Sequence, residues 1–107
     1  MVKNEALRQG LNPHIAMAIV SVESNWNPKA IGPIGELGLF QLRVRRFKEK
    51  YLRPEFNIRE GIRRLRYWRE HCPLQEGLTW TICYNNGYRK PKYPYLHPYY
   101  KRIMAML

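Results

Sequence analysis

Apolar residues recur along the chain with the spacing of α-helices, and no segment alternates apolar and polar residues as a half-buried strand does. The clearest helix follows Asn12, which can cap it. It places Pro13 at its first position and carries apolar residues as far as Val22. The pair Asn27-Pro28 then breaks the pattern. We expect an all-α, mainly helical fold, with one compact domain over residues 1–107, because this length supports a single core.

Further helices are predicted from the same spacing together with glycine and proline stop signals. Their expected bounds are residues 5–9, 43–53, 57–71, 74–84 and 99–107. The helix over 57–71 is expected to begin with Asn57-Ile58-Arg59-Glu60, which resembles a capping box with Asn as the cap. Residues 88–98 are rich in Tyr and Pro and are expected to form an ordered loop.

Glu23 lies near the end of the helix that follows Asn12, and it is the first candidate for chemistry. At about 100° per residue it projects between Ala16 and Ile19, on the apolar face of that helix. Burial disfavours the charged form of a carboxyl group and raises its pKa, so that the group can hold a proton near neutral pH as a general acid must. The structural alternative is a helix-end glutamate that turns out to solvent, which is the commoner situation for this residue type.

Composition limits the classes of function. The net charge of +11 implies a polyanionic partner: nucleic acid, an acidic membrane surface or the anionic polymers of a bacterial cell wall. The chain has no aspartate and its eight glutamates are dispersed, which argues against a carboxylate-rich Mg²⁺ or Ca²⁺ site. The three histidines show no metal-ligand spacing, so we predict neither a metal nor a cofactor.

The two cysteines, Cys72 and Cys83, stand eleven residues apart. They could bridge two helices, remain unpaired in the core or be reactive, and a zinc site is disfavoured because no CxxC pair is present. Of these possibilities, the sequence leads us to favour buried free thiols.

Four short segments fit one pattern in order and spacing, and together they are specific although each alone is weak. They are Glu23-Ser24 with Asn27-Pro28-Lys29-Ala30, Gly35-x-x-Gly38-Leu39-Phe40-Gln41, Asn57-Ile58 with Gly61, and Tyr84-Asn85-Asn86-Gly87. This pattern resembles the soluble lytic transglycosylase (SLT) family, whose fold is lysozyme-like. The resemblance covers about residues 7–107.

The resemblance implies cleavage of the β-1,4 bond between N-acetylmuramic acid and N-acetylglucosamine in peptidoglycan, with formation of a 1,6-anhydromuramoyl end. Glu23 would act first as general acid toward the glycosidic oxygen and then, as a carboxylate, as base toward the muramoyl C6 hydroxyl. Ordinary retaining or inverting glycosidases instead need two carboxylates, roughly 5–5.5 Å or 6.5–9.5 Å apart. Glu36 is the one candidate near Glu23 in sequence, and a solvated glutamate in a glycine turn is an equally good interpretation of it.

Other site residues are predicted by matching position. By resemblance, Gln41 hydrogen-bonds substrate from the cleft wall, and the Tyr84 hydroxyl reaches the catalytic carboxyl or the sugar. A surface amide and a core tyrosine are the structural alternatives. Ser24 is expected to steady the region, since no His or Asp stands near it in sequence to activate it as a nucleophile. The full predicted substrate-binding set is Gln41, Tyr84, Asn85, Ser24, Phe40 and Arg43.

The chain departs from the family pattern at three positions. Gly32 stands where the family commonly has a Ser, and Phe40 stands where it usually has a Met. Arg43 stands two residues after Gln41, at a position where the family commonly has another Met. Arg43 is a candidate partner for a carboxylate of a muramoyl peptide. Five aromatic residues are candidates for stacking on sugar rings, with packing as the alternative: Trp26, Tyr93, Tyr95, Tyr99 and Tyr100.

Three other functions stay open. A lysozyme would cleave the same bond with water, an inactive descendant would only bind the wall, and a basic helical module would bind nucleic acid without a zinc-finger, RNP-like or KH-like signature. We expect a monomer whose partners are peptidoglycan strands and anionic wall polymers, with no specific nucleic acid and no membrane span. The basic run 43–53 is either a solvated face or a means of raising encounter rates with an anionic wall.

No apolar signal-peptide core is visible near Met1, and no apolar run approaches the length of a membrane span. We expect action at the bacterial cell wall or periplasm. Two settings fit: a phage protein brought there by holin or by injection, which we favour, or a mature or truncated domain of an exported bacterial enzyme.

Overall fold

The computed structural model describes all 107 residues as five α-helices joined by loops and two short 3₁₀ turns, without β-strands. The helices are α1 (Val2–Gln9), α2 (Pro13–Ser24), α3 (Pro54–His71), α4 (Thr81–Asn86) and α5 (Pro98–Met106). The 3₁₀ turns are Glu49–Leu52 and Pro94–Leu96. The predicted all-α fold is confirmed.

The ends of α1 and α2 follow local sequence signals. The Asn12 side chain accepts a hydrogen bond from the His14 N–H at 2.8 Å, ahead of Pro13 at the first helical position. Gly10 caps the C-terminus of α1, and Asn25 caps that of α2 with a left-handed backbone, φ 51°. This residue sets the direction in which the chain leaves the helix that carries the candidate acid.

α2 packs against α1 and α5, while α3 packs against α1 and α4. One hydrophobic cluster draws side chains from every helix and from the loop before α3. Completely buried members include Ile19, Phe40, Ile62, Leu65 and Ile103. Each contributes on the order of 1.5–3 kcal/mol through burial of its side chain. None of the helices combines the length and apolar character needed to cross a bilayer.

The basic segment 43–53 does not form the predicted α-helix, and only Glu49–Leu52 forms a 3₁₀ turn. Six cations stand within these eleven residues, and like charges three or four positions apart destabilise a helix. The Phe47 side chain does not pack in the core, and the residue is 63% exposed. The segment therefore lacks the apolar face that would have compensated for the repulsion.

Two other predicted helix starts were wrong. The helix expected over 74–84 covers only Thr81–Asn86, because Gly77 (φ 55°) and hydrogen bonds to residues three earlier hold the preceding segment in turns. α3 begins at Pro54 and not at the capping box, since proline is well suited to the first helical position. Asn57 therefore lies inside α3 and is completely buried.

The Asn57 side chain joins α3 to residues 30–42, which we call the cleft loop. Its oxygen accepts a hydrogen bond from the Phe40 N–H at 2.8 Å, and its amide nitrogen donates to the carbonyls of Leu37 and Tyr51 at 2.8 and 2.7 Å. A buried amide with this many partners is fully satisfied and fixes the backbone around it. A single side chain of α3 thus anchors the cleft loop, which is also held by backbone hydrogen bonds of its own.

Two glycines permit this close packing of the cleft loop on α3. A β-carbon on Gly61 would overlap the ring of Phe40, and one on Gly38 would overlap the Asn57 amide. Gly38 also has a left-handed backbone, φ 75°, that other residues rarely adopt. Larger residues at either position would push the cleft loop away from the helix.

Cys72 and Cys83 form a disulfide, with Cα atoms 6.0 Å apart, so the prediction of free thiols was wrong. The bond joins the residue after α3 to the middle of α4, and both cysteines are buried. The turns between the two helices reverse the chain and bring the cysteines within bonding reach. Sequence spacing alone left this outcome open.

Candidate active site

Glu23 lies in the last turn of α2, is half-buried and contacts α5. Its Oε2 accepts a hydrogen bond from the Tyr99 hydroxyl at 2.7 Å. Tyr99 is only 1% exposed, which corrects the expectation that it is a candidate for stacking on sugar rings. The two residues are 76 positions apart, so no local pattern could have paired them.

Burial raises the pKa of the Glu23 carboxyl from 4.5 to about 7. The hydrogen bond from Tyr99 opposes this rise because it stabilises the carboxylate. The negative charge of Glu36 raises the pKa of Glu23 further, while the positive charges of Arg102 and Arg43 lower it. Near neutral pH the group therefore exchanges between its acid and base forms, and either form can act.

Glu23 faces a cavity of about 270 Å³ between the cleft loop, α3 and α4. Of the predicted substrate-binding residues, the structure brings four to its wall: Gln41, Arg43, Tyr84 and Asn85. Glu36 lines it as well. No three His, Cys, Asp or Glu side chains lie together as metal ligands would. Acid–base and hydrogen-bonding side chains thus share one space.

Tyr84 ties α4 to the cleft loop. Its hydroxyl donates to the Phe40 carbonyl at 2.6 Å, so its proton is not directed at the Glu23 carboxyl. Burial, together with the charge of Glu23, raises the pKa of the Tyr84 phenol well above its usual value, which keeps it a donor. The side chain lines the cavity while its hydroxyl holds the wall in place.

Gln41 stands at the end of the cleft-loop turn with a left-handed backbone, φ 48°. Its amide nitrogen donates to the carbonyls of Gly38 and Ala30 at 2.9 and 3.2 Å. These bonds hold a strained residue in place. They leave the amide oxygen as the atom that can accept a hydrogen bond from a ligand.

Two predicted substrate-binding residues lie behind the cavity wall. The Ser24 hydroxyl donates to the Val20 carbonyl at 3.2 Å, within its own helix, and Ser24 is not part of the lining. Phe40 is completely buried against Gly61. This corrects the expectation that the Phe40 and Ser24 side chains touch substrate, because both are used for packing and for local hydrogen bonding.

Arg43 and Asn85 meet across the cavity. The Arg43 guanidinium donates to the Asn85 carbonyl at 2.8 Å, and this contact joins the end of the cleft loop to α4. Arg43 nevertheless remains exposed to solvent. Its other guanidinium donors are therefore accessible to an anionic ligand.

Gly32, where the chain departs from the family pattern, lies against the ends of two side chains of the cavity wall. A β-carbon on Gly32 would lie 2.5 Å from Gln41 Oε1 and 2.6 Å from Glu36 Oε1. A serine there would displace both side chains. Glu36 Oε1 also accepts a hydrogen bond from the Ile34 N–H at 2.8 Å, so this carboxylate is held against its own turn.

Arg64 and Trp68 line the cavity one turn apart on α3. Neither was predicted from the sequence to be a site residue. The Trp68 ring packs edge-on against Tyr88, with the ring centres 4.8 Å apart. Arg64 donates to the Arg43 carbonyl at 2.9 Å. The signal that could have found them is their spacing of four residues beside the apolar stripe.

The remaining aromatic candidates lie away from the cavity. Trp26 donates from its indole nitrogen to the Ser21 hydroxyl at 2.8 Å and is 43% exposed. Tyr93 and Tyr95 are exposed, and Tyr100 packs edge-on against Tyr95 at 5.5 Å. None of the four contributes to the cavity wall that holds Glu23.

Comparison with protein families matches residues 1–94 to the Transglycosylase SLT domain. The chain belongs to the SLT domain family. The resemblance seen in the four motifs is thereby confirmed. No curated protein and no solved structure gave a match.

Membership of the SLT family gives this domain a lysozyme-like fold and a lytic transglycosylase-type function on peptidoglycan of the cell wall. Glu23, Gln41 and Tyr84 fall within the matched residues, whereas Tyr99 follows them. The partner of the candidate acid in this SLT domain is therefore known from the structure and not from the family match.

Proposed function

We propose that this SLT domain cleaves the bond between N-acetylmuramic acid and N-acetylglucosamine without water, forming 1,6-anhydromuramoyl ends, with Glu23 as its catalytic residue. One observation carries the proposal: the Glu23 carboxyl, with a pKa of about 7, faces the cavity and is held by Tyr99. A carboxyl group with that pKa can give and take a proton at neutral pH, as a mechanism with one carboxyl group requires.

In the first step, protonated Glu23 donates its proton to the glycosidic oxygen as the bond from that oxygen to muramoyl C1 breaks. The bonding electron pair leaves with the oxygen, which becomes the free 4-hydroxyl of the departing sugar. In the second step, the Glu23 carboxylate takes the proton of the C6 hydroxyl while the C6 oxygen forms a bond to C1. Glu23 is protonated again, and the substrate has supplied its own nucleophile.

The neighbours of Glu23 have supporting roles in this mechanism. Tyr99 holds one carboxyl oxygen and leaves the other for the substrate. The Gln41 amide oxygen can accept a hydrogen bond from a sugar hydroxyl or acetamido N–H. Because the donors of Gln41 are used within the cleft loop, its amide is oriented before the substrate arrives.

A second candidate function is hydrolysis of the same bond, and Glu36 is the observation that favours it. Its carboxylate lines the cavity that Glu23 faces, so it could activate a water as a second carboxylate. The hydrogen bond from the Ile34 N–H, which holds Glu36 against its own turn, favours the reaction without water.

Mass spectrometry of muropeptides released from purified sacculi tests both candidates. We expect anhydro ends from the native protein and from Glu36→Gln, and no release from folded Glu23→Gln. Reducing ends that require both glutamates would establish a hydrolase instead. If the native protein releases nothing, catalysis on this substrate is excluded and wall binding is the function left.

A further inference from the structure

A second depression adjoins the catalytic cavity and is lined by cations without any acidic residue. Its volume is about 430 Å³. We call it the basic groove, and its cationic side chains are Arg43, Arg45, Arg46, Lys48 and Arg64. Arg64 belongs to α3, and the other four belong to segment 43–53, which does not form the predicted helix.

The basic groove lies directly beside the catalytic cavity, because Arg43 and Arg64 line both. These two residues are fixed by hydrogen bonds, from Arg43 to the Asn85 carbonyl and from Arg64 to the Arg43 carbonyl. A branch of a ligand bound beside Glu23 can therefore reach the basic groove by passing these two side chains.

The charge of the basic groove is largely uncompensated within the protein. Arg64 is the one member with a carboxylate partner, Glu60 at 3.1 Å. The other four cations form no ion pair in the structure. A ligand with carboxylates would meet several free donors here, including guanidinium groups that can bind a carboxylate through two hydrogen bonds.

We propose that the basic groove binds the free carboxylates of the peptide stems that muramoyl residues carry. This inference rests on the proposed function, because the stem must branch from a strand bound in the cavity. The sugar units of the strand are uncharged, so the stems supply the anionic groups. Val44 and Tyr51 line the groove too and offer apolar contact for the aliphatic part of a stem.

Stem binding has a consequence for which bond is cleaved. Only every second sugar, the muramoyl unit, carries a stem. A groove that holds the stem would therefore fix which of the two alternating sugars occupies the position beside the groove. The basic groove would thus set the register of the strand in addition to contributing affinity.

A phosphodiester polymer could meet the same cations, but two observations favour a stem. The basic groove is a short pocket that shares its wall with the cavity, whereas a polymer would use charge spread along a surface. Val44 and Tyr51 in its wall also suit an amino-acid side chain better than a sugar–phosphate chain.

The test measures equilibrium binding at about physiological salt, since long-range charge effects are screened there. The full chain carries Glu23→Gln so that strands stay intact. The groove variant adds Arg45→Gln, Arg46→Gln and Lys48→Gln. The control variant adds Lys3→Gln, Lys90→Gln and Lys101→Gln, which remove the same charge outside the groove. The three probes are stem-bearing glycan oligomers, the same oligomers with amidated carboxylates, and polyglycerol phosphate.

Relative to the Glu23→Gln protein, we expect the groove variant to bind stem-bearing oligomers at least fivefold more weakly and the control variant to bind them less than twofold more weakly. Both variants should bind the amidated oligomers equally. Equal losses in the two variants, or no effect of amidation, would overturn the proposal. Groove-dependent binding of polyglycerol phosphate alone would overturn it in favour of that polymer. Failure of the proposed function gives a different result from failure of this inference. In that case the native protein releases no products, while the variants still show stem-dependent binding.

Discussion

The hydrogen bond from Tyr99 stabilises the carboxylate of Glu23 against the larger effect of burial. Its removal in Tyr99→Phe should raise the pKa of Glu23 further. The general acid then stays protonated to higher pH, so the alkaline limb of the kcat/KM profile should move to higher pH. We also expect kcat to fall by roughly ten- to a hundredfold, since a hydrogen bond to a charged group contributes about 1.5–3 kcal/mol.

Tyr84→Phe is the matched control for this profile. The Tyr84 hydroxyl donates to the Phe40 carbonyl and not to Glu23, so the alkaline limb of the Tyr84→Phe profile should stay in place. The free energy of unfolding should fall by about 1 kcal/mol. An unshifted or lowered alkaline limb in Tyr99→Phe would show that Tyr99 does not control the protonation of Glu23.

Glu36 acts on Glu23 in the opposite sense, because its negative charge raises the pKa of Glu23. Glu36→Gln should therefore lower that pKa and move the alkaline limb to lower pH, while anhydro products persist. Glu70→Gln, a change at an exposed position on α3, is the control and should leave the limb unchanged. A Glu36→Gln profile that coincides with the native one would contradict the charge effect.

At the scale of elements, helices with strong local signals were predictable and the cleft loop was not. α2 combines a cap, a proline and an apolar face, which also revealed the desolvated position of Glu23. The left-handed Gln41 and the position of Asn57 depend on contacts between distant segments, which periodicity does not encode. The capping-box signal at Asn57 was overridden by Pro54, and the buried amide then served the cleft loop.

The cleft loop should depend on Asn57 more than on any contact of its own. Asn57→Leu leaves the Phe40 N–H and the Tyr51 carbonyl without partners and removes one of the two hydrogen bonds that the Leu37 carbonyl accepts. We expect a loss of about 2–4 kcal/mol in the free energy of unfolding. Urea denaturation measures this loss, and activity should fall with it because the loop positions Gln41. Asn4→Leu, an exposed change on α1, should stay within about 0.5 kcal/mol. Equal stabilities of the two variants would contradict the anchoring role.

At the scale of the whole molecule, the Cys72–Cys83 disulfide links the two helices that form one side of the cavity. Closing a loop of this length stabilises a fold by about 3 kcal/mol, mainly by restricting the unfolded chain. Replacing both cysteines by Ala should lower the free energy of unfolding by about 2–4 kcal/mol. A reductant should produce a similar loss in the native protein and none in the double variant. If the reductant leaves the unfolding midpoint of the native protein unchanged, the disulfide adds no stability.

The buried acid also costs the molecule stability at neutral pH. The pKa of Glu23 is about 7 in the folded protein and 4.5 for the unperturbed group, so the folded state binds the extra proton between these values. Stability therefore falls as pH rises through this window and levels off above it, by at most about 3 kcal/mol.

Glu23→Gln carries no such penalty. Its advantage in the free energy of unfolding should be small below pH 4.5, grow up to about pH 7 and then stay constant. Urea denaturation of both proteins across this range measures the difference. A constant difference would mean that Glu23 titrates normally, and the proposed acid would then lack the property that makes it suited to catalysis.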